Sequence, residues 1–246
     1  IRDSRWLAFV AVGGTNRPHG SGHHPLPWVR GRPGVGLLPG TPRLADRHTG
    51  GQRQPLNFQN IDFKTLLQTA QVQGLSINED LPQAKRSILE RADQVQRQLT
   101  TDELAKICQL SGMDDSLPGS LVQRSDQLVN QARGHLLETQ PHLVQPGGAL
   151  YPQDRADACW RDCWNFLRVI IYAVACNQSR FTNPNGMAAL RELYGRMNVP
   201  IEGMNIALDQ LRQQALKEIS RPSDRQLIND CFQHLSAELN KSAVKS

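Results

Sequence analysis

Residues 151–176 read YPQDRADACWRDCWNFLRVIIYAVAC, and the periodicity of this stretch decides the fold. Cys159, Cys163, Phe166, Leu167, Ile170, Ile171 and Val174 recur at spacings of three and four, which predicts a long helix with a broad buried face. Cys159 and Asp162 lie three apart, so they share one side of that helix, one turn from each other. Arg155 comes off the preceding turn on roughly the same side. A thiol, a carboxylate and a guanidinium therefore converge beside a buried helical surface.

Working outward, the flanking sequence is helix after helix. Residues 88–99 carry an apolar stripe of Ile88, Leu89, Ala92, Val95 and Leu99. Thr100 and Glu103 form a capping box for a short helix with Leu104, Ile107 and Cys108, broken by Gly112 and by Pro118-Gly119. Leu121, Ser125, Leu128, Val129, Ala132 and Leu136 then keep one period up to Pro141. After the central stretch, Asn183-Pro184 supplies a cap and a pre-set first turn for a helix to Met197. Pro200 opens another, and Ser223 is expected to cap the last, which carries Leu227, Ile228, Cys231, Phe232, Leu235 and Leu239. No segment alternates with period two for long enough to be a strand. The fold class is all-α.

The formal charge of +5 is unevenly placed. Residues 1–56 hold eight Arg, two Asp, ten Gly and seven Pro, with no Lys or Glu, while the other 190 residues are near neutral. The first part has no sustained period and is expected to be a disordered or non-native basic tail, with a transit peptide as the other reading. Residues 57–82 are expected to be a short helical extension with Phe58, Ile61, Leu66, Leu67 and Ala70 as its apolar positions, packed rather than free for docking. Residues 83–240 are the main domain, and 241–246 a tail. A near-neutral domain offers no basic face for nucleic acid. The five Cys show no paired metal-ligand spacing, which excludes a zinc ribbon, and reads as buried reduced thiols. No run is long and apolar enough for a membrane span. No catalytic constellation and no phosphate-cradling loop is present, so an enzyme is not expected.

Around Cys159 the pattern becomes specific. Arg155, Cys159, Arg161, Asp162, Leu167, Arg168 and Tyr172, preceded by Pro146-Gly147-Gly148 and Tyr151 and followed by Arg191-Glu192-Leu193-Tyr194 and Pro200, resemble the bilin-attachment helix of phycobiliproteins. The register runs from Pro146 to Pro200 without a gap, and is most similar to the allophycocyanin subunits. The resemblance implies a globin-like helical body preceded by an N-terminal helical hairpin. It also implies an open-chain tetrapyrrole of the phycocyanobilin type joined to Cys159 by a thioether. In that reading Asp162 accepts the pyrrole N–H groups, Arg155 and Arg161 meet the propionates, and Tyr172 stacks along the pocket. Asp93 and Arg168 stand where the family pairs one subunit's hairpin with another's pigment helix. The implied role is a light-harvesting subunit that passes excitation within a phycobilisome, peripheral to the cytoplasmic or stromal face of the thylakoid membrane. Its implied partners are other phycobiliprotein subunits and linkers.

Several residues depart from the family pattern: Trp160, Cys163, Trp164 and Asn165 around the thiol, Ala149 before it, and Asn177-Gln178 after the helix. Taken alone, Cys159 would pass for a small core residue, and Arg161-Asp162 for a solvated pair favoured by the helix start. The departures and the added residues 57–82 favour a second reading, a non-pigmented adaptor or assembly and turnover factor of the same antenna. A haem globin is disfavoured because His135, His142 and His234 fit no pocket helix.

Overall fold

The structure, a computed structural model, describes residues 61–241. The expectations for residues 1–56, Phe58 and the tail beyond Lys241 fall outside it. The described residues form nine α-helices: α1 (Phe63–Thr69), α2 (Gln83–Gln94), α3 (Thr101–Ser111), α4 (Ser116–Gln123), α5 (Ser125–Thr139), α6 (Gln153–Ala175), α7 (Pro184–Arg196), α8 (Ile201–Leu216) and α9 (Pro222–Leu239). Among these residues no strand occurs beyond one isolated antiparallel bridge between Gln73 and Thr182. The architecture is all-α, and no described helix is long and apolar enough to cross a membrane.

Helix α6 is the axis. Its first half follows the predicted stripe, but residues 166–175 are buried on every side, Arg168 included. Helices α3, α4, α5, α8 and α9 all pack against it, and α5 and α8 also pack on each other. A helix apolar all round is stable only when neighbours enclose it, and the sequence of α6 is apolar enough for that from Phe166 onward. Trp160 and Trp164 fasten its open start to α5: the Arg133 guanidinium lies 5.5 Å from the Trp160 ring centroid, and Trp164 Nε1 donates to Asp126 at 3.1 Å. Both departures from the family pattern thus belong to the α5–α6 seam.

Local signals explain most helix ends. The capping box at Thr100 is formed in both directions, at 3.3 and 3.0 Å. Glu103 also takes both arms of Arg97 at 2.6 and 2.8 Å, a pairing that holds its carboxyl down at about 2. Asn183 caps α7 through the N–H groups of Asn185 and Gly186, with Pro184 in the first turn. Four expectations shift. The stripe ending at Leu136 is two helices, divided at Arg124. Pro118-Gly119 lies inside the first turns of α4, where a missing N–H costs no hydrogen bond. Proline at the first position starts α9, so Ser223 is not its cap. Val95 leaves the first stripe and is exposed, because α2 stops at Gln94 and Gln96 turns into the left-handed region (φ 51°).

Residues 71–77 run as a strap from α1 to a single 3₁₀ turn at Leu75–Ile77, pressed against the start of α7. Gly74 N–H donates to Phe181 O at 2.7 Å, and Asn183 N–H to Val72 O at 2.8 Å. The approach requires glycine on both sides. A Cβ on Gly74 would lie 2.6 Å from Thr182 O, and one on Gly186 only 1.8 Å from Gln71 O. Gly186→Ala is therefore expected to displace the strap, at a cost of about 2–4 kcal/mol in urea unfolding. Unchanged stability together with unchanged protease resistance of residues 71–78 would contradict this packing.

Candidate functional site

The α6 start brings together a compact, buried group. Cys159 and Cys163 lie one turn apart, and Cys163 Sγ lies 3.9 Å from Met204 Sδ on α8. The neighbouring Cys159 thiol and burial hold the Cys163 thiol well above its ordinary value. All five cysteines are free and buried, Cys159 among them. Asp162 is 7% exposed, and its Oδ2 accepts a 2.8 Å hydrogen bond from the Tyr194 hydroxyl on α7. Burial pushes the Asp162 carboxyl up to about 7, against the downward pull of the Tyr194 bond and the nearby Arg161 charge. The same burial, with the Asp162 charge beside it, drives the Tyr194 phenol well above its usual range. Tyr194 is the site residue that sequence reasoning missed. It appeared only as the end of the Arg-Glu-Leu-Tyr signature, and nothing in helical spacing tells that α7 aims it at Asp162.

Beside this group opens a cavity of about 650 Å³ between α6, the end of α2 and the strap, with Asp162, Phe166 and Val169 on its floor. Its size falls in the range of small-molecule sites. Arg155 holds the turn after α7, donating through one guanidinium nitrogen to Met197 O (2.9 Å) and Asn198 O (3.3 Å).

Tyr172 is elsewhere. It lies more than two turns beyond Asp162 on α6, fully buried, and does not line the cavity. Its hydroxyl accepts from Arg168 at 2.8 Å and donates to Arg97 O. Arg168, 4% exposed, also pairs with Asp93 of the same chain at 2.8 Å and donates through Nε to Asn165 Oδ1. So the structure brings Cys159, Arg161 and Asp162 together on α6, although of Arg155, Cys159, Arg161 and Asp162 only Asp162 lines the cavity. It separates Tyr172 from them, and it places the Asp93–Arg168 pair inside one chain.

A family profile described as Phycobilisome protein matches residues 87–239, more than half of the chain. The chain belongs to the phycobilisome protein family. A putative allophycocyanin subunit alpha 2 from a Nostoc species is 29% identical over 153 residues, covering 61% of this chain and 94% of that protein. The allophycocyanin alpha-B chain of Cyanophora paradoxa is 26% identical over 151 residues, 60% and 93% of the two chains. A solved far-red fluorescent biliprotein, derived from an allophycocyanin F subunit of Chroococcidiopsis thermalis, overlaps 56% of this chain and 99% of its own at 18% identity, with a TM-score of 0.48. With family membership stands the expected architecture, a globin-like helical body behind an N-terminal helical hairpin.

Asp162 adds a titration of its own between pH 4 and 7. A carboxyl raised from 3.8 to about 7 by folding binds a proton that the unfolded chain releases. Its contribution to stability is complete below about pH 4 and is lost as pH rises through 7. Asp162→Asn is expected to flatten the pH dependence of unfolding between those values and to raise stability at pH 8 by roughly 2–4 kcal/mol. Urea denaturation across pH 4–8 measures it, and parallel curves for the two proteins would contradict the assignment.

Proposed function

We propose that this chain is a phycobilisome subunit that carries one open-chain tetrapyrrole at Cys159 and serves in light harvesting, without enzymatic activity. The observation that carries the reading is Asp162. A buried carboxylate lining a cavity, with one neutral hydroxyl as its hydrogen-bond partner, is costly unless a cationic N–H donor joins it. A protonated tetrapyrrole supplies such donors, in charge-assisted bonds.

The residues present fit the pigment in part. Cys159 stands one turn from Asp162 and gives the thioether sulfur, and Arg161 gives a cation beside it. Arg155 keeps one nitrogen on the α7–α8 turn and offers the rest of its fork to a propionate. Tyr172 is not assigned to the pocket, since its place under α2 supports a structural role; Tyr194 takes over as the aromatic neighbour of Asp162. When bound, the pigment supplies visible absorption. The protein's share is to hold it extended, keep its nitrogens protonated through Asp162 and exclude water.

A second reading, the unpigmented adaptor or assembly factor, is favoured by one specific observation. Cys159 is buried, so attachment requires the start of α6 to open. Co-expression with bilin synthesis and a lyase separates the two. A visible band and zinc-dependent fluorescence that survive denaturation, and that vanish in Cys159→Ala, support the pigmented subunit. A colourless wild-type protein supports the adaptor.

Pairing with other phycobiliprotein subunits, and through them with linkers at the cytoplasmic or stromal thylakoid face, belongs to the same proposal. Because Asp93 meets Arg168 within the chain, pairing through residues 83–104 proceeds by exchange of α2 between copies. Asp93→Lys is then expected to abolish a dimer in sedimentation experiments; an undiminished dimer would remove α2 from the interface.

A further inference from the structure

The start of α6 carries two thiols on one face, and the function proposed above uses only one of them. Cys159 and Cys163 are four residues apart on the helix, so their Cβ atoms lie about 5–6 Å from each other. Helical side chains lean toward the N-terminus, which swings the Cys163 sulfur back over the Cys159 turn, and the two thiols are electrostatic neighbours. From α8, Met204 closes a third side, with its Sδ 3.9 Å from Cys163 Sγ. Cys163 and Met204 are 1% exposed and Cys159 6%, so two thiols and a thioether meet in a water-poor part of the core. The Asp162 carboxyl beside them is taken by the Tyr194 hydroxyl. Among the described residues no group of three His, Cys, Asp or Glu side chains could hold a metal ion, so a site here is one of sulfur alone, completed by the thioether. The spacing suits such a site. With metal–sulfur bonds of about 2.3 Å, three sulfurs round one ion stand about 4 Å from one another, and Cys163 and Met204 are already at 3.9 Å. Thiolate and thioether donors select the soft ion Cu(I), whereas structural Zn(II) takes four donors in a tetrahedron.

We infer that Cys159, Cys163 and Met204 form a three-coordinate site for one Cu(I) ion where α6 meets α8. Binding releases the two thiol protons to solvent, and the two thiolates with the ion carry one negative charge. No electron moves, because the ion enters as Cu(I). It enters by the same opening of the α6 start that pigment attachment requires. Attachment would turn the Cys159 thiol into a thioether and remove it as a charged ligand, so copper and pigment are alternative occupants of one sulfur. The inference itself does not depend on the pigment.

The test uses the full chain, expressed without bilin synthesis and kept reduced and free of oxygen, in competition with bicinchoninate for Cu(I). One equivalent is expected to leave the chelator, and X-ray absorption at the copper edge to count three sulfur neighbours at about 2.3 Å. Cys163→Ala and Met204→Leu are each expected to weaken uptake by at least about tenfold, since changes outside a ligand set already cost about 10–100-fold. Met204→Leu nearly conserves the buried volume, so it removes the thioether without emptying the core. Cys231→Ala, which removes a buried thiol on α9, is expected to leave the affinity unchanged, and melting temperatures verify that each variant folds. Equal affinity in folded Cys163→Ala or Met204→Leu, fewer than three sulfur neighbours, or Zn(II) held as tightly as Cu(I) overturns the inference and leaves the three sulfurs as core packing. Failure of the attachment reading looks different: a chain that never acquires a linked pigment but binds copper in this way keeps the site.

Discussion

The enclosure of α6 is the constraint on which the rest of the structure depends. Residues 166–175 are buried without exception, so the helices around them must surround rather than flank it. Enclosing a helix this way strands whatever polar groups it carries, and α6 carries two that matter. Arg168 is satisfied by Asp93, Asn165 and Tyr172, a network that anchors α2 on the body. Asp162 receives one hydroxyl and the nearby Arg161 charge, and burial still outweighs both, which its raised pKa of about 7 records. The same burial therefore leaves a satisfied network at Arg168 and a carboxyl with a raised pKa at Asp162.

The residues that depart from the family pattern become intelligible in this setting. Trp160 and Trp164 reach α5, Asn165 orients Arg168, and Cys163 fills the space between Cys159 and Met204. Each makes a contact within the chain. The strap follows the same rule: residues 71–77 cover the side of α6 that Asp162 and Arg168 share, and α2 closes the remainder.

Much of this was legible in the order of residues. Period 3.6 reports which side of a helix is apolar, and local capping reports where helices begin; Thr100-Glu103 and Asn183-Pro184 did both jobs where expected. The signals failed where local chemistry is ambiguous. Ser125 continues an apolar period across the break at Arg124, and Pro118 interrupts nothing because it stands in a first turn. Tyr172 was expected along the pocket from the family resemblance alone, and in the structure its hydroxyl meets Arg168 and Arg97 while the cavity lining does not include it.

By itself the sequence determined the all-α class, the central helix, the juxtaposition of Cys159, Arg161 and Asp162 and the family, because each is encoded within a few turns of one segment. Tertiary structure alone decided that Tyr194 meets Asp162 and that Asp93 meets Arg168 in the same chain. Those pairs are 32 and 75 residues apart, and whether they touch depends on how separate helices pack. No local propensity carries that information: packing is decided by the shape and burial of the whole core.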